Sequence, residues 1–154
     1  MSDNADMMKL YSKRILALAA DLPHTERLDQ PDATARKRSP LCGSTVTVDV
    51  KLDGNAIMDY GQDVKACALG QAAASIIGAH ILGRTYDEIL TGRAELHAML
   101  TTDGDTPNAP FDALETLLPA KDYKNRHASI LLTFDAILAA LEEARPEASA
   151  EQSA

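Results

Sequence analysis

The chain has 154 residues, 45% of them apolar and 25% charged, the balance of a folded globular protein of one domain. Fifteen basic against twenty-three acidic side chains leave a net charge of −8, and two Phe plus four Tyr with no Trp make only six aromatics. Such a surface repels phosphate backbones and anionic membranes and offers little for stacked bases, so nucleic acid and membrane are excluded as partners. No run approaches the roughly 20 apolar residues of a membrane span, and residues 1–6 lack the basic and apolar parts of a secretory signal. A cytoplasmic location is expected, in which Cys42 and Cys67 remain thiols open to metal or sulfur chemistry.

Residues 6–21 place Met7, Met8, Leu10, Tyr11, Ile15 and Leu18 at helical spacing, predicting an amphipathic first helix. Pro23, Pro31 and Pro40 punctuate a polar stretch in which 34–38 form a short edge strand. Strict alternation over 45–52, with Val46, Val48, Val50 and Leu52 on one face and Thr45, Thr47, Asp49 and Lys51 on the other, predicts a strand. Asp53-Gly54-Asn55 turns it into a second strand over 56–60. Cys42 lies twelve residues before Gly54 and Cys67 thirteen after it, so the hairpin brings both thiols toward its open end.

An alanine-rich helix is predicted over 67–82, closed by Gly83, with Cys67 in its first turn. Thr85 and Glu88 have capping-box spacing and open a third helix to about Leu100. After a loop over 101–110, a short helix is expected over 111–118, broken by Pro119. The last helix begins near Asn125 and stacks His127, Ile130, Leu131, Phe134, Leu138 and Leu141 on one stripe. The domain is assigned to 1–143, with 144–154 a disordered polar tail.

Thiolate and imidazole are natural ligands of zinc, iron and iron–sulfur clusters, which singles out Cys42, Cys67 and His127. A thiol at a helix N-terminus is drawn toward thiolate by unpaired backbone N–H groups, so Cys67 is also a candidate nucleophile. Spacing alone is weak support, since no Cys-x-x-Cys pair exists and a cysteine among alanines often simply packs. His24, His80 and His97 have no ligand partners nearby in sequence and are expected at the surface or in packing. Asp103-Gly104-Asp105 lacks the rest of a calcium loop. Arg36-Lys37-Arg38 is the one concentrated basic patch available to an acidic partner.

The order of Pro40-Leu41-Cys42-Gly43, a Val-rich strand, the Lys51-Leu52-Asp53-Gly54 hairpin, Cys67 opening an Ala/Ser-rich helix, and His127-Ala128-Ser129-Ile130-Leu131 opening the last helix resembles the U-type iron–sulfur cluster assembly scaffolds, the IscU, SufU and NifU N-terminal group. The resemblance covers about residues 7–141. It implies an α+β fold, a small antiparallel sheet of about three strands against about five helices. It further implies a scaffold or sulfur acceptor, more a carrier than a turnover catalyst. Cys42 and Cys67 would be ligands or persulfide acceptors and His127 a third ligand, all converging at one edge of the fold. The cargo implied is iron or an iron–sulfur cluster, alternatively zinc in a sulfurtransferase partner of a cysteine desulfurase. The partners implied are that desulfurase and the apo iron–sulfur proteins or carriers downstream. Two departures stand out: Ser44 occupies the family's Asp position after Cys-Gly, and its third cysteine is replaced by Ala128 or Ser129. At most three of four ligands are then present, with a water, a partner's side chain or a carboxylate such as Asp63 to complete the shell, or the site has decayed in an interaction protein. The segment 104–123 is similar to an insertion of the SufU subtype, while Leu118-Pro119-Ala120-Lys121 loosely echoes the chaperone-recognition sequence of the IscU subtype.

Overall fold

A computed structural model describes residues 12–40 and 43–144. The elements follow as helix α1 (Lys13–Ala20), strands β1 (Ala33–Arg38), β2 (Thr45–Asp53) and β3 (Ala56–Lys65), helices α2 (Ala68–Ala79) and α3 (Tyr86–Thr101), a 3₁₀ helix (Asp112–Asp122), and helix α4 (Lys124–Ala144). The strands form one antiparallel sheet in the order β1-β2-β3. The expected α+β architecture, three strands and five helical elements, is therefore present. Among the described residues no helix is long and apolar enough to cross a membrane.

The alternation of β2 decides the layers. Val46, Val48 and Val50 are buried against α4, which also packs on β1, α2 and α3. Small side chains let the layers close: Ala72, Ala73, Ala74 and Gly78 of α2 are buried, and a side chain on Gly92 of α3 would come within 2.9 Å of the Phe111 ring. Phe111 in turn meets Phe134 of α4 edge to face at 5.2 Å, so a core poor in aromatics is pinned by one ring pair.

The other face of the hairpin is not uniformly wet. Asp49, on the face of β2 opposite the valines, has a fully buried carboxylate beneath the 21–32 loop. It accepts from Arg27 Nε at 2.6 Å, Arg27 Nη2 at 3.0 Å, the Thr34 hydroxyl and the Leu28 backbone N–H at 3.1 Å. Burial alone would push this carboxyl up, but those hydrogen bonds outweigh it and hold Asp49 below the ordinary carboxylate range. Gly61 of β3 makes room for the same loop, since a Cβ there would stand 2.5 Å from the Glu26 carbonyl.

Several boundaries differ from the pattern in the sequence. Ser12 is the N-cap of α1, its hydroxyl accepting from Ile15 N, so the helix starts at Lys13 and does not run through from residue 6; residues 1–11 lie outside the described residues. Strand β3 continues five residues past Tyr60 because Gln62, polar but buried, is satisfied by the Tyr60 hydroxyl and the Pro23 carbonyl. Helix α2 ends at Ala79, not Leu82; the turn after it buries Ile81 and directs Gly83 N–H to the Ile57 carbonyl of β3. Pro119 does not stop the helix before it, because the segment is 3₁₀ throughout and continues to Asp122. Ala144 closes α4 instead of opening the tail, and 145–154 lie outside the described residues. The Thr85/Glu88 capping box is present in both directions.

Candidate functional site

Pairing of β2 with β3 sets where the two cysteines can meet. Thr45 is opposite Lys65, so the chain leaves β3 for α2 beside the point where it enters β2 from the 39–44 loop. That loop carries Cys42, which lies outside the described residues together with Leu41. Its ends are closed: Ser39 N–H donates to the Ser44 carbonyl and Gly43 N–H to the Ser39 carbonyl, both at 2.8 Å. Gly43 has φ +71°, a left-handed conformation that suits glycine.

Cys67 is the N-cap residue of α2, half-buried, a free thiol with extended backbone, so its Sγ stands at the helix mouth without capping it. Its nearest described polar partner is a hydroxyl. Ser129 Oγ of α4 lies 3.6 Å from Cys67 Sγ and 3.0 Å from Ser44 Oγ, joining the cysteine loop, α2 and α4 through one contact. Ser129 is 1% and Ser44 4% exposed, so this is an interior link. Ser44, at the family's carboxylate position, and Ser129, one of the two alternatives for its third cysteine, thus contribute hydroxyls to it. Sequence reasoning treated them only as absent ligands; Ser129 lies on the side of the last helix away from its apolar stripe, so no local pattern marked it.

His127 points elsewhere. Two residues from Ser129, it is rotated about 200° around the helix and faces the 3₁₀ helix. Its Nε2 lies 3.0 Å from the carbonyls of both Ala120 and Lys121. A carbonyl only accepts, so Nε2 carries the proton and Nδ1 of the neutral ring holds the lone pair. Metal-bound histidines characteristically give their other N–H to a backbone carbonyl, which fixes ring orientation. The donor chemistry of His127 therefore suits a ligand acting through Nδ1, although the ring is only 8% exposed.

The structure brings Cys67 together with Ser129 and Ser44, and holds His127 by a separate contact within the first two turns of α4. Among the described residues no group of three or more His, Cys, Asp or Glu side chains is gathered for a metal. Asp63 is exposed on β3 opposite Thr47, four extended residues, roughly 13 Å of chain, before Cys67. His24 packs edge to face on Tyr60, His97 bonds with Thr101, and Asp103 pairs with Lys121, so none belongs to the site.

The comparisons with known proteins agree with this architecture. The model of the NifU-like N-terminal domain matches residues 10–142. The N-terminal domain of a NifU-like protein from Brucella abortus superposes with a TM-score of 0.89 at 39% identity, over 92% of this chain and 99% of that one. A protein from Fervidobacterium islandicum, assigned as an iron–sulfur cluster assembly scaffold of the SUF system, has the same fold at 21% identity, with a TM-score of 0.78 over 87% of this chain and 98% of that one. A Thermotoga maritima iron–sulfur cluster assembly scaffold protein, IscU, is 26% identical over 82 residues, 53% of this chain and 58% of that relative's length. With the family model spanning residues 10–142, most of the chain, this chain belongs to the NifU-like N-terminal domain family.

Proposed function

We propose that this protein is an iron–sulfur cluster assembly scaffold whose thiols receive sulfur and hold iron or a nascent cluster as cargo. The observation that carries the reading is the position of Cys67, a half-exposed free thiol at the mouth of α2 beside the closed loop that contains Cys42. Unpaired N–H groups of the first helical turn favour the thiolate there. Family membership supports the same role.

In this reading Cys42 and Cys67 are the sulfur ligands and His127 Nδ1 is a third. The sulfur donor is a cysteine desulfurase carrying a persulfide. The Cys67 thiolate attacks the outer sulfur, the donor's S–S bond breaks, and the donor leaves as a thiolate while Cys67 becomes the persulfide. No net oxidation occurs in that exchange. Apo iron–sulfur proteins or carriers take the finished cargo. The chemistry calls for a reducing compartment such as the cytoplasm, where thiols persist.

Anaerobic purification followed by iron, zinc and acid-labile sulfide analysis tests the reading, together with mass mapping of persulfides after incubation with a cysteine desulfurase and cysteine. Iron with sulfide, lost in Cys67→Ser, supports it. Zinc without sulfide moves it to a zinc-bound sulfurtransferase partner. No metal and no sulfur on Cys42 or Cys67, with the desulfurase active, overturns it in favour of a decayed site.

A further inference from the structure

We propose that the thiol end of the sheet is a docking surface for an acidic segment of a partner protein; this names the partner chemistry of the site proposed above and rests on that reading. Arg36, Lys37 and Arg38 end β1 and are all exposed. The register carries the charge across the sheet: Arg38 is opposite Thr45, which is opposite Lys65, itself exposed at the end of β3. In the neighbouring row Arg36 is opposite Thr47, which is opposite Asp63. With strands about 4.8 Å apart, Arg38 and Lys65 stand roughly 10 Å from each other across the sheet.

Arg36, Arg38 and Lys65 therefore share one face at this end of the sheet with the carboxylate Asp63, and exposed Lys37, opposite Val46, adds a fourth cation on the other face of the same end, in a chain whose net charge is −8. The ion pairs among the described residues are Arg27–Asp49, Arg84–Glu88, Arg93–Asp135 and Lys121–Asp103, and none includes these four cations. Asp49, on the same face, is consumed by Arg27, Thr34 and Leu28, and Asp59, opposite Lys51, lies further along toward the Gly54 turn. The patch is also placed for the chemistry. Lys65 is two residues from Cys67, and Arg38 leads into the 39–44 loop, whose sequence includes Cys42, so whatever docks on the patch arrives beside the Cys67 thiol and the ends of that loop.

A positive patch on a negative molecule orients encounter. An acidic surface is repelled by the rest of the protein and attracted to this end, raising the on-rate of productive collisions. A nucleic acid would meet the same patch but carries its charge over a length that also meets the acidic remainder. A protein segment with a short acidic run matches the patch in extent, and is the occupant assigned here.

The test is fluorescence anisotropy of the full chain with a labelled decaglutamate peptide, at about 50 mM and about 300 mM salt. Binding is expected at low salt, weakened at high salt, and weakened about tenfold or more in Arg36→Glu/Arg38→Glu. A second variant, Arg38→Glu/Lys65→Glu, serves if the first does not fold as judged by circular dichroism. Lys13→Glu/Lys51→Glu makes the same change of net charge away from the patch, and less than about a threefold loss is expected from it. Equal losses in patch and control variants, or binding indifferent to both patch variants, overturns the proposal. So does an oligothymidylate of equal charge that competes as well as the peptide, since the patch would then be a general anion site. Chemical cluster reconstitution of the same variants reads the scaffold role separately: failure of the unsubstituted protein to load sinks that reading without touching the peptide result.

Discussion

Ser129 Oγ reaches to 3.6 Å of Cys67 Sγ because residue 70 has no side chain. A Cβ on Gly70 would stand 2.5 Å from Ser129 Oγ, 2.9 Å from the Ala66 Cβ and 3.2 Å from the Ser129 carbonyl. Glycine in the first turn of α2 weakens the helix intrinsically, by up to about 1 kcal/mol relative to alanine. The close approach of α2 to α4 at the thiol explains its presence.

Gly70→Ala is therefore expected to destabilise the protein by about 1–3 kcal/mol, overpacking exceeding the helix-propensity gain. Rotation of the Ser129 side chain relieves only one of the three contacts. Combined with Ser129→Ala, part of the loss should return, because the hydroxyl is removed while the carbonyl and Ala66 contacts remain. Urea denaturation of the two single variants and the double variant gives the coupling. An additive double variant would mean that residue 70 and Ser129 do not touch.

Asp49 is expected to make the fold acid-sensitive. Its folded-state pKa is depressed, because the hydrogen bonds from Arg27, Thr34 and Leu28 outweigh burial. The stability it contributes is therefore fully present above the unfolded carboxylate pKa, near 3.9, and is lost as pH falls through the lower folded value. Unfolding free energy should rise with pH across that window and flatten above it. Asp49→Asn removes the charge partner of Arg27 and should cost about 2–4 kcal/mol at neutral pH while reducing that acid slope. Denaturant titrations between about pH 2 and pH 6 give both quantities. An unchanged slope would assign the acid limb to other carboxylates.

The layers of this fold were legible because they rest on periodicity: the valine alternation of β2, the Asp53-Gly54-Asn55 turn, the Thr85/Glu88 box and the apolar stripe of α4 each encode one element locally. What escaped depends on contacts distant in sequence. Asp49 sits on the polar side of its strand by parity, and only the 21–32 loop folding over it makes it buried. Gln62 breaks the apolar pattern of β3, and Pro23, Tyr60 and Ala74 restore its side-chain hydrogen bonds. In the site, the cysteine and histidine positions could be marked from motif order. The Ser44, Ser129 and Cys67 contact joins segments up to 85 residues apart, and no local signal announces it.

Capping gives a check on local energetics. Thr85 accepts from Glu88 N, and Glu88 accepts from Thr85 N, closing the start of α3. Thr85→Ala should cost about 1 kcal/mol and leave cargo binding unchanged, since α3 begins away from the thiols. A thermal melt and a metal titration on one sample separate the two effects. A loss of metal affinity would mean that the opening of α3 is coupled to the site.

The residue that would complete the ligand set can be placed by helix geometry. On α4, Ser129 faces Cys67 and His127 faces the Ala120 and Lys121 carbonyls. Residue 128 stands about 100° from each, in the sector between them, and is half-buried where both neighbours are buried. A thiol there would be flanked by the Cys67 side and by the imidazole. Ala128→Cys is therefore expected to tighten zinc or ferrous iron binding by more than about tenfold, the scale on which even outer-shell changes act. Ser129→Cys puts its sulfur into the crowded space over Gly70 and should gain less while losing stability. Competition against a chromogenic chelator, with Cys67→Ser in each background, measures the gain and shows that it passes through the same site. If Ala128→Cys binds no tighter than the unsubstituted protein, residue 128 does not face the ligands; a larger gain in Ser129→Cys would move the third thiol position to the residue that touches Cys67.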